Sequence, residues 1–143
     1  MNDQFTATGT LNTNLAAASA FSLAVFEARD TAWLEIQNIK GDGPLLVNGQ
    51  PVRFEIRSPG TREALNAQHK IDTAASAKAF AAVRGKAVKD TVESKFGERA
   101  DKLAAVTVRT ENFPVSPTDV YTNPKLGYIT DQVAAFHGDW ANF

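Results

Sequence analysis

The chain has no cysteine. That excludes disulfides, zinc–thiolate centres and cysteine nucleophiles, and it fits a reducing cytoplasm. Histidine is nearly missing too, with His69 and His137 alone. His137 beside Asp139 could touch a metal, but two ligands at that spacing arise easily by chance, and a surface or helix-end histidine is the better account. A phosphate loop around Gly85-Lys86 would need glycine at position 80 and Ser or Thr at 87. Those positions hold Phe80 and Ala87. There is no Gly-x-Ser-x-Gly nucleophile elbow. The carboxylate pairs Asp90/Glu93 and Glu98/Asp101 sit among basic residues, which suits a salt-laced helix better than acid–base catalysis.

Long apolar runs are also lacking. None approaches the ~18 residues that a membrane span needs. The first positive charge is Arg29, and Ala18-Ser19-Ala20 precedes the apolar FSLAVF instead of following it. No secretory signal is therefore expected, and the protein is expected in the cytosol. Net charge is −1, so charge points to neither nucleic acid nor a membrane surface. The aromatics among the basic helical residues are Phe80 and Phe96, both read as core. Single-strand binding would interleave aromatics with basic groups.

What is present is enough for a folded domain: 43% of 143 residues are hydrophobic and 22% charged. Residues 61–109 hold ten Lys/Arg against six Asp/Glu, a net of +4, and 110–143 hold one against four, a net of −3. Solvated helix faces account for this.

The pattern reads as one α+β domain at 15–143 behind a flexible arm at 1–14. Residues 15–26, LAAASAFSLAVF, fit either a short helix or a strand. In TAWLEIQ, Ala32, Leu34 and Ile36 share one side. In PVRFEIR, Val52, Phe54 and Ile56 do the same. Between them Gly41-Asp42-Gly43-Pro44 breaks the chain, LLV makes a short strand and Asn48-Gly49 a hairpin turn. The expected assembly is a three-stranded antiparallel β-meander over 31–57.

The period then changes to 3.6. Ser58 or Thr61 caps a helix running to about Arg84, with Leu65, Ile71, Ala75 and Phe80 as core candidates. Gly85 ends or kinks it. A second helix, about 87–106, carries Val88, Val92, Phe96, Leu103 and Val106 on one side, and Lys89/Glu93 and Glu98/Lys102 at i, i+4 spacing. These two helices span 61–106. Residues 107–122 read as a connection packed by Phe113 and Val115. Asn123-Pro124 opens an amphipathic C-terminal helix at 123–140, with Leu126, Ile129, Val133, Phe136, Trp140 and Phe143 along one stripe. Gly138 can end the regular helix before the last two.

The order of these signals carries more than any single motif. FSLAVFEARDTAWLEIQN leads into GDGPLLVNGQPVRFEI, then through SPGTREA into helices, and the chain closes on DVYTNPKLGYITDQVAAFHGDWANF. This resembles the tail assembly chaperones of long-tailed, siphovirus-like bacteriophages, small proteins encoded beside the tail tube and tape-measure genes. The matching positions are Tyr121, Ile129, Asp131, Gln132, Val133, Phe136 and Phe143. The resemblance implies a non-enzymatic protein without cofactor or metal. Such a protein binds the tape-measure protein, helps recruit tail tube subunits in the host cell cytoplasm, and is absent from the mature virion. Tyr128, Phe136, Trp140 and Phe143 are the candidate partner-binding residues. They would meet tape measure, tube protein or another copy, unless the stripe is simply core. The competing expectations are a structural virion subunit of head–tail connector or tail-terminator type, and a small enzyme built on His69 or His137 with an Asp.

Overall fold

The computed structural model describes residues 21–86 and 91–143, with the backbone also at 3–4 and 6–7. The arm expected at 1–14 and the start of the 15–26 segment fall outside the described side chains. The described part of that segment is neither α-helix nor strand, but a 3-10 turn at Leu23–Phe26.

Alternation makes strand β1, Thr31–Glu35. A loop wound around Asn38 follows. Two short strands, β2 (Leu46–Val47) and β3 (Gln50–Pro51), are joined by Asn48 and Gly49 at φ 52° and 77°. Both residues adopt the left-handed conformation that a two-residue hairpin turn requires. Strand β4, Arg53–Arg57, then pairs antiparallel with β1. Ala32 lies opposite Ile56 and Leu34 opposite Phe54, so the two apolar rows share one face. Ile36, Val52, Phe54 and Ile56 are fully buried.

Helix α1, Arg62–Val83, is capped by Thr61, whose Oγ1 accepts from the Ala64 N–H. It stops as expected at Gly85. That residue has φ 75°, its N–H donates to the Ala82 carbonyl, and the Lys86 N–H donates to that of Ala81. This is a Schellman closure. Helix α2, Val92–Val106, is capped by Thr91. It buries Ala100, Leu103 and Val106, while Val92 is exposed and Val88 and Lys89 lie outside the described residues.

Three core assignments on α1 and one ion pair need correcting. Leu65 and Phe80 are exposed, as is Ala75, and of the four candidates on α1 Ile71 alone is half-buried. The side of α1 turned inward is instead Ala64, Ala67, Ile71, Ala74, Lys78 and Ala81. Nor does Glu98 pair with Lys102 along its own helix. Its Oε2 lies 3.6 Å from Lys78 Nζ on α1, and Lys102 donates to Gln68 Oε1 at 2.8 Å. These contacts join the two helices.

The three-stranded antiparallel sheet is present, but its third strand does not come from 31–57. The sheet runs β1–β4–β5, where β5 is Thr107–Glu111, and β2 and β3 form a separate ribbon. The stretch expected to be a connection therefore holds a strand. It also holds a one-turn helix, α3, Pro117–Tyr121, capped by Ser116. Ion pairs tie β5 to β4: Arg53 Nε to Glu111 Oε1 at 2.6 Å and Arg109 Nε to Glu55 Oε1 at 2.9 Å.

The stretch expected as one helix over 123–140 is three pieces. Asn123 and Pro124 open a 3-10 turn to Leu126, helix α4 follows at Gly127–His137, and Gly138 separates it from a second 3-10 turn at Trp140–Asn142. Helices α2, α3 and α4 cover one face of the sheet. Leu103, Val106, Val120, Tyr121, Ile129 and Val133 close over Phe54 and Ile56. The other face presents Trp33 beneath the guanidinium groups of Arg53 and Arg109, at 4.6 and 5.2 Å from its ring.

Candidate interaction surface

The residues that carry the terminal motif are mostly used by the fold. Tyr121, Ile129 and Val133 are fully buried. Asp131 accepts from Arg99 of α2 at 2.6 Å. Gln132 accepts from the Gln37 N–H at 2.7 Å and donates to the Gln37 carbonyl at 3.0 Å, which pins α4 to the chain just past β1. Tyr121 and Thr107 make a buried chain of hydroxyls. Thr107 Oγ1 donates to the Leu103 carbonyl at 2.7 Å, and carbonyls only accept, so the Tyr121 hydroxyl is the donor to Thr107. Burial pushes the Tyr121 hydroxyl well above its ordinary pKa.

The four candidate partner-binding residues fall into two groups. Phe136 and Phe143 meet edge to face at 5.5 Å, and both pack on the core. Tyr128 is half-buried against the same core. Phe143 is held further by Arg29, whose N–H and Nε both donate to its carbonyl, while Nη2 donates to that of Asn142. Trp140 alone is largely exposed, at 57%. Its ring lies over Gly60, where an added Cβ would stand 3.1 Å from Trp140 Cη2.

Between α1 and α2 lies a groove that the sequence did not reveal. Gly60 leads within three residues to Glu63, and Arg57 reaches both Glu63, at 3.7 Å, and the Ala105 carbonyl, at 3.4 Å. Glu63 and Ala105 belong to the lining of an open groove of about 530 Å³ between α1 and α2. Its apolar floor is Ala67, Ile71, Ala74 and Ala105, and its rim carries charges of both signs at Lys70, Glu98, Asp101 and Lys102. The alanines of α1 signalled close packing. They did not signal that one flank of the packed pair stays open.

The enzyme candidates do not assemble. His69 is exposed on α1. His137 is buried, and its Nδ1 stands 2.8 Å from the Arg57 carbonyl, so Nδ1 carries the hydrogen. Burial holds its pKa below the ordinary value, the Arg57 carbonyl opposes that shift, and the Lys102 charge adds to it. Asp139 is occupied in capping the last turn, accepting from the Ala141 N–H at 3.0 Å. Asp90 lies outside the described residues. Among the described residues no group of three or more His, Asp or Glu could hold a metal ion, and no helix is long and apolar enough to cross a membrane.

Compared with known proteins, the chain matches no family model, no curated protein and no solved structure.

Proposed function

We propose that this protein is a non-enzymatic tail assembly chaperone of a long-tailed bacteriophage. It binds the tape-measure protein, helps recruit tail tube subunits in the host cytoplasm, and leaves before the particle is complete. One observation carries the reading: a body whose core is already filled leaves apolar surface open, with Trp140 57% exposed over Gly60 and an apolar-floored groove between α1 and α2. A protein that shields a long helical client needs a rigid body presenting apolar surface, and a groove between two helices suits an amphipathic helix. Exposed tryptophan is the residue type most enriched among binding anchors.

Co-expression of the chain with segments of the tape-measure protein encoded beside it tests this directly. Wild-type protein should retain a segment. Trp140→Ala should retain it about thirtyfold more weakly, the equivalent of about 2 kcal/mol, while unfolding within a degree or two of the parent. Phe143→Ala should behave differently. It loses the ring pair with Phe136 and packing on the core, so stability falls by about 1–2 kcal/mol. No segment retained by the wild-type chain would sink the proposal. Stoichiometric presence in purified particles would replace it with a structural virion subunit.

A further inference from the structure

The three-stranded sheet has two outer edges, and they are unlike. The β5 edge is defended. Its pairing with β4 shifts between Glu55 and Ile56, so Val108 bulges out of register, with Arg109 beside it. Bulges and charges are how edge strands turn away a further strand. The β1 edge has no bulge, no proline and no charge before Glu35. Its bonds to β4 fix which way its backbone groups point. The Ser58 N–H donates to the Asp30 carbonyl and the Ile36 N–H to that of Val52, so the even-numbered residues of β1 bond inward. The odd-numbered residues point their N–H and C=O groups outward. At both ends the fold takes these up itself. The Arg29 N–H donates to the Phe143 carbonyl, and Gln37 is bonded both ways to the Gln132 side chain. Between those stops, Thr31, Trp33 and Glu35 present three N–H and three C=O groups with no partner among the described residues. Leu34, in the same window, is only half-buried on the core side.

The β1 strand of a second copy does not fit this window. Paired antiparallel about Trp33, its Gln37 would fall beside Arg29, where Phe143 already sits. The chain's own N-terminal sequence does fit. TATGTLNTN, which starts at Thr6, alternates: Ala7, Gly9 and Leu11 fall on one side, and threonine or asparagine on the other. The stretch carries no charge, and threonine favours strands. We infer that Thr10–Asn14 adds to the β1 edge of its own chain as a fourth, antiparallel strand, with Thr10 opposite Glu35, Asn12 opposite Trp33 and Asn14 opposite Thr31. In that register these three residues exchange backbone hydrogen bonds with the window, and Leu11 lies against Leu34 on the core side. Gly9 stands where the chain must turn away from Gln132, a bend that glycine permits. The tether between the two strands, residues 15–30, can reach up to about 50 Å. Such a tether holds the segment at a millimolar effective concentration, so at micromolar protein the chain's own edge fills before another copy's. This pairing is independent of what client the protein holds.

Amide hydrogen exchange, followed by NMR, tests the register residue by residue. In the full chain the Thr31, Trp33 and Glu35 N–H groups should exchange at least about a hundredfold more slowly than in a chain lacking residues 1–14. Those of Ala32 and Leu34, bonded to β4, should be protected alike in both. Asn12→Pro leaves the segment in place but removes the N–H that faces Trp33, and should speed exchange at Trp33 as truncation does. The cysteine-free chain allows a second test. Mild oxidation of Thr10→Cys/Glu35→Cys should close a disulfide within one chain, since a hydrogen-bonded pair holds its Cα atoms about 5.5 Å apart. Thr10→Cys/Val108→Cys, on the other edge, should not close. Equal exchange of the three amides in the full and truncated chains overturns the inference. So does a disulfide formed chiefly between chains, which would place the segment on another copy's edge, or one that forms as fast to Val108→Cys as to Glu35→Cys.

Discussion

Thr107 sits where three parts of the molecule meet. It opens β5, bonds back to the Leu103 carbonyl of α2, and accepts from the Tyr121 hydroxyl of α3. The direction of those bonds makes the two partners unequal. Tyr121→Phe removes a donor and leaves Thr107 still bonded to Leu103, so it should cost about 0.5–1.5 kcal/mol. Thr107→Val leaves the Tyr121 hydroxyl buried without a partner, and should cost about 1–3 kcal/mol. Denaturant unfolding of both variants checks the order. A Thr107→Val protein as stable as Tyr121→Phe would contradict the donor assignment. The sequence marked Tyr121 as part of a motif but said nothing of Thr107, because a buried hydroxyl pair has no local signature.

At the scale of elements, α1 is the weakly held piece. It is 22 residues long yet buries only Ala64, and α2 is the main element packed against it. Helix α4, by contrast, buries Ile129, Thr130, Val133 and His137 against the core. Opening free energy follows buried contacts, so α1 should open locally without the rest of the fold. Backbone amides beyond Ala74 should exchange with solvent at least about tenfold faster than those around Val133, the equivalent of about 1.4 kcal/mol. Equal protection in both helices, measured by exchange and mass spectrometry, would count against this.

For the whole molecule, one connected core joins the sheet to α2, α3 and α4, so unfolding should be a single cooperative transition. Its pH dependence follows from His137. The folded pKa lies below the unfolded value of about 6.5, so between the two the unfolded chain binds more protons. The stability held in neutral His137 is complete above about pH 6.5, and is lost as pH falls through the folded value. Tm should therefore drop from about pH 7 to about pH 5 more steeply for the parent than for His137→Gln, which keeps a donor for the Arg57 carbonyl. Identical slopes would remove His137 as the source.

Local rules determined much of this protein. The inward faces of β1 and β4, the Asn48-Gly49 turn and the Gly85 stop each depend on a few neighbouring residues, and each stands as the sequence indicates, while of the two caps it offered, Ser58 and Thr61, the helix uses Thr61. Tertiary structure alone decided the rest. Thr107–Glu111 becomes the third strand because it pairs with a strand whose Arg53 lies 58 positions earlier than Glu111. The alanine-rich α1 has no single apolar stripe, so its inward side was set by where α2 packs. The aromatic stripe at the C-terminal end looked uniform in sequence. Gly138 and the Arg29 contacts divide it, turning Phe143 in against Phe136 and leaving Trp140 out over Gly60. A spacing of three and four records which residues can share a helix face. It cannot record where the helix stops, or which distant chain segment covers that face.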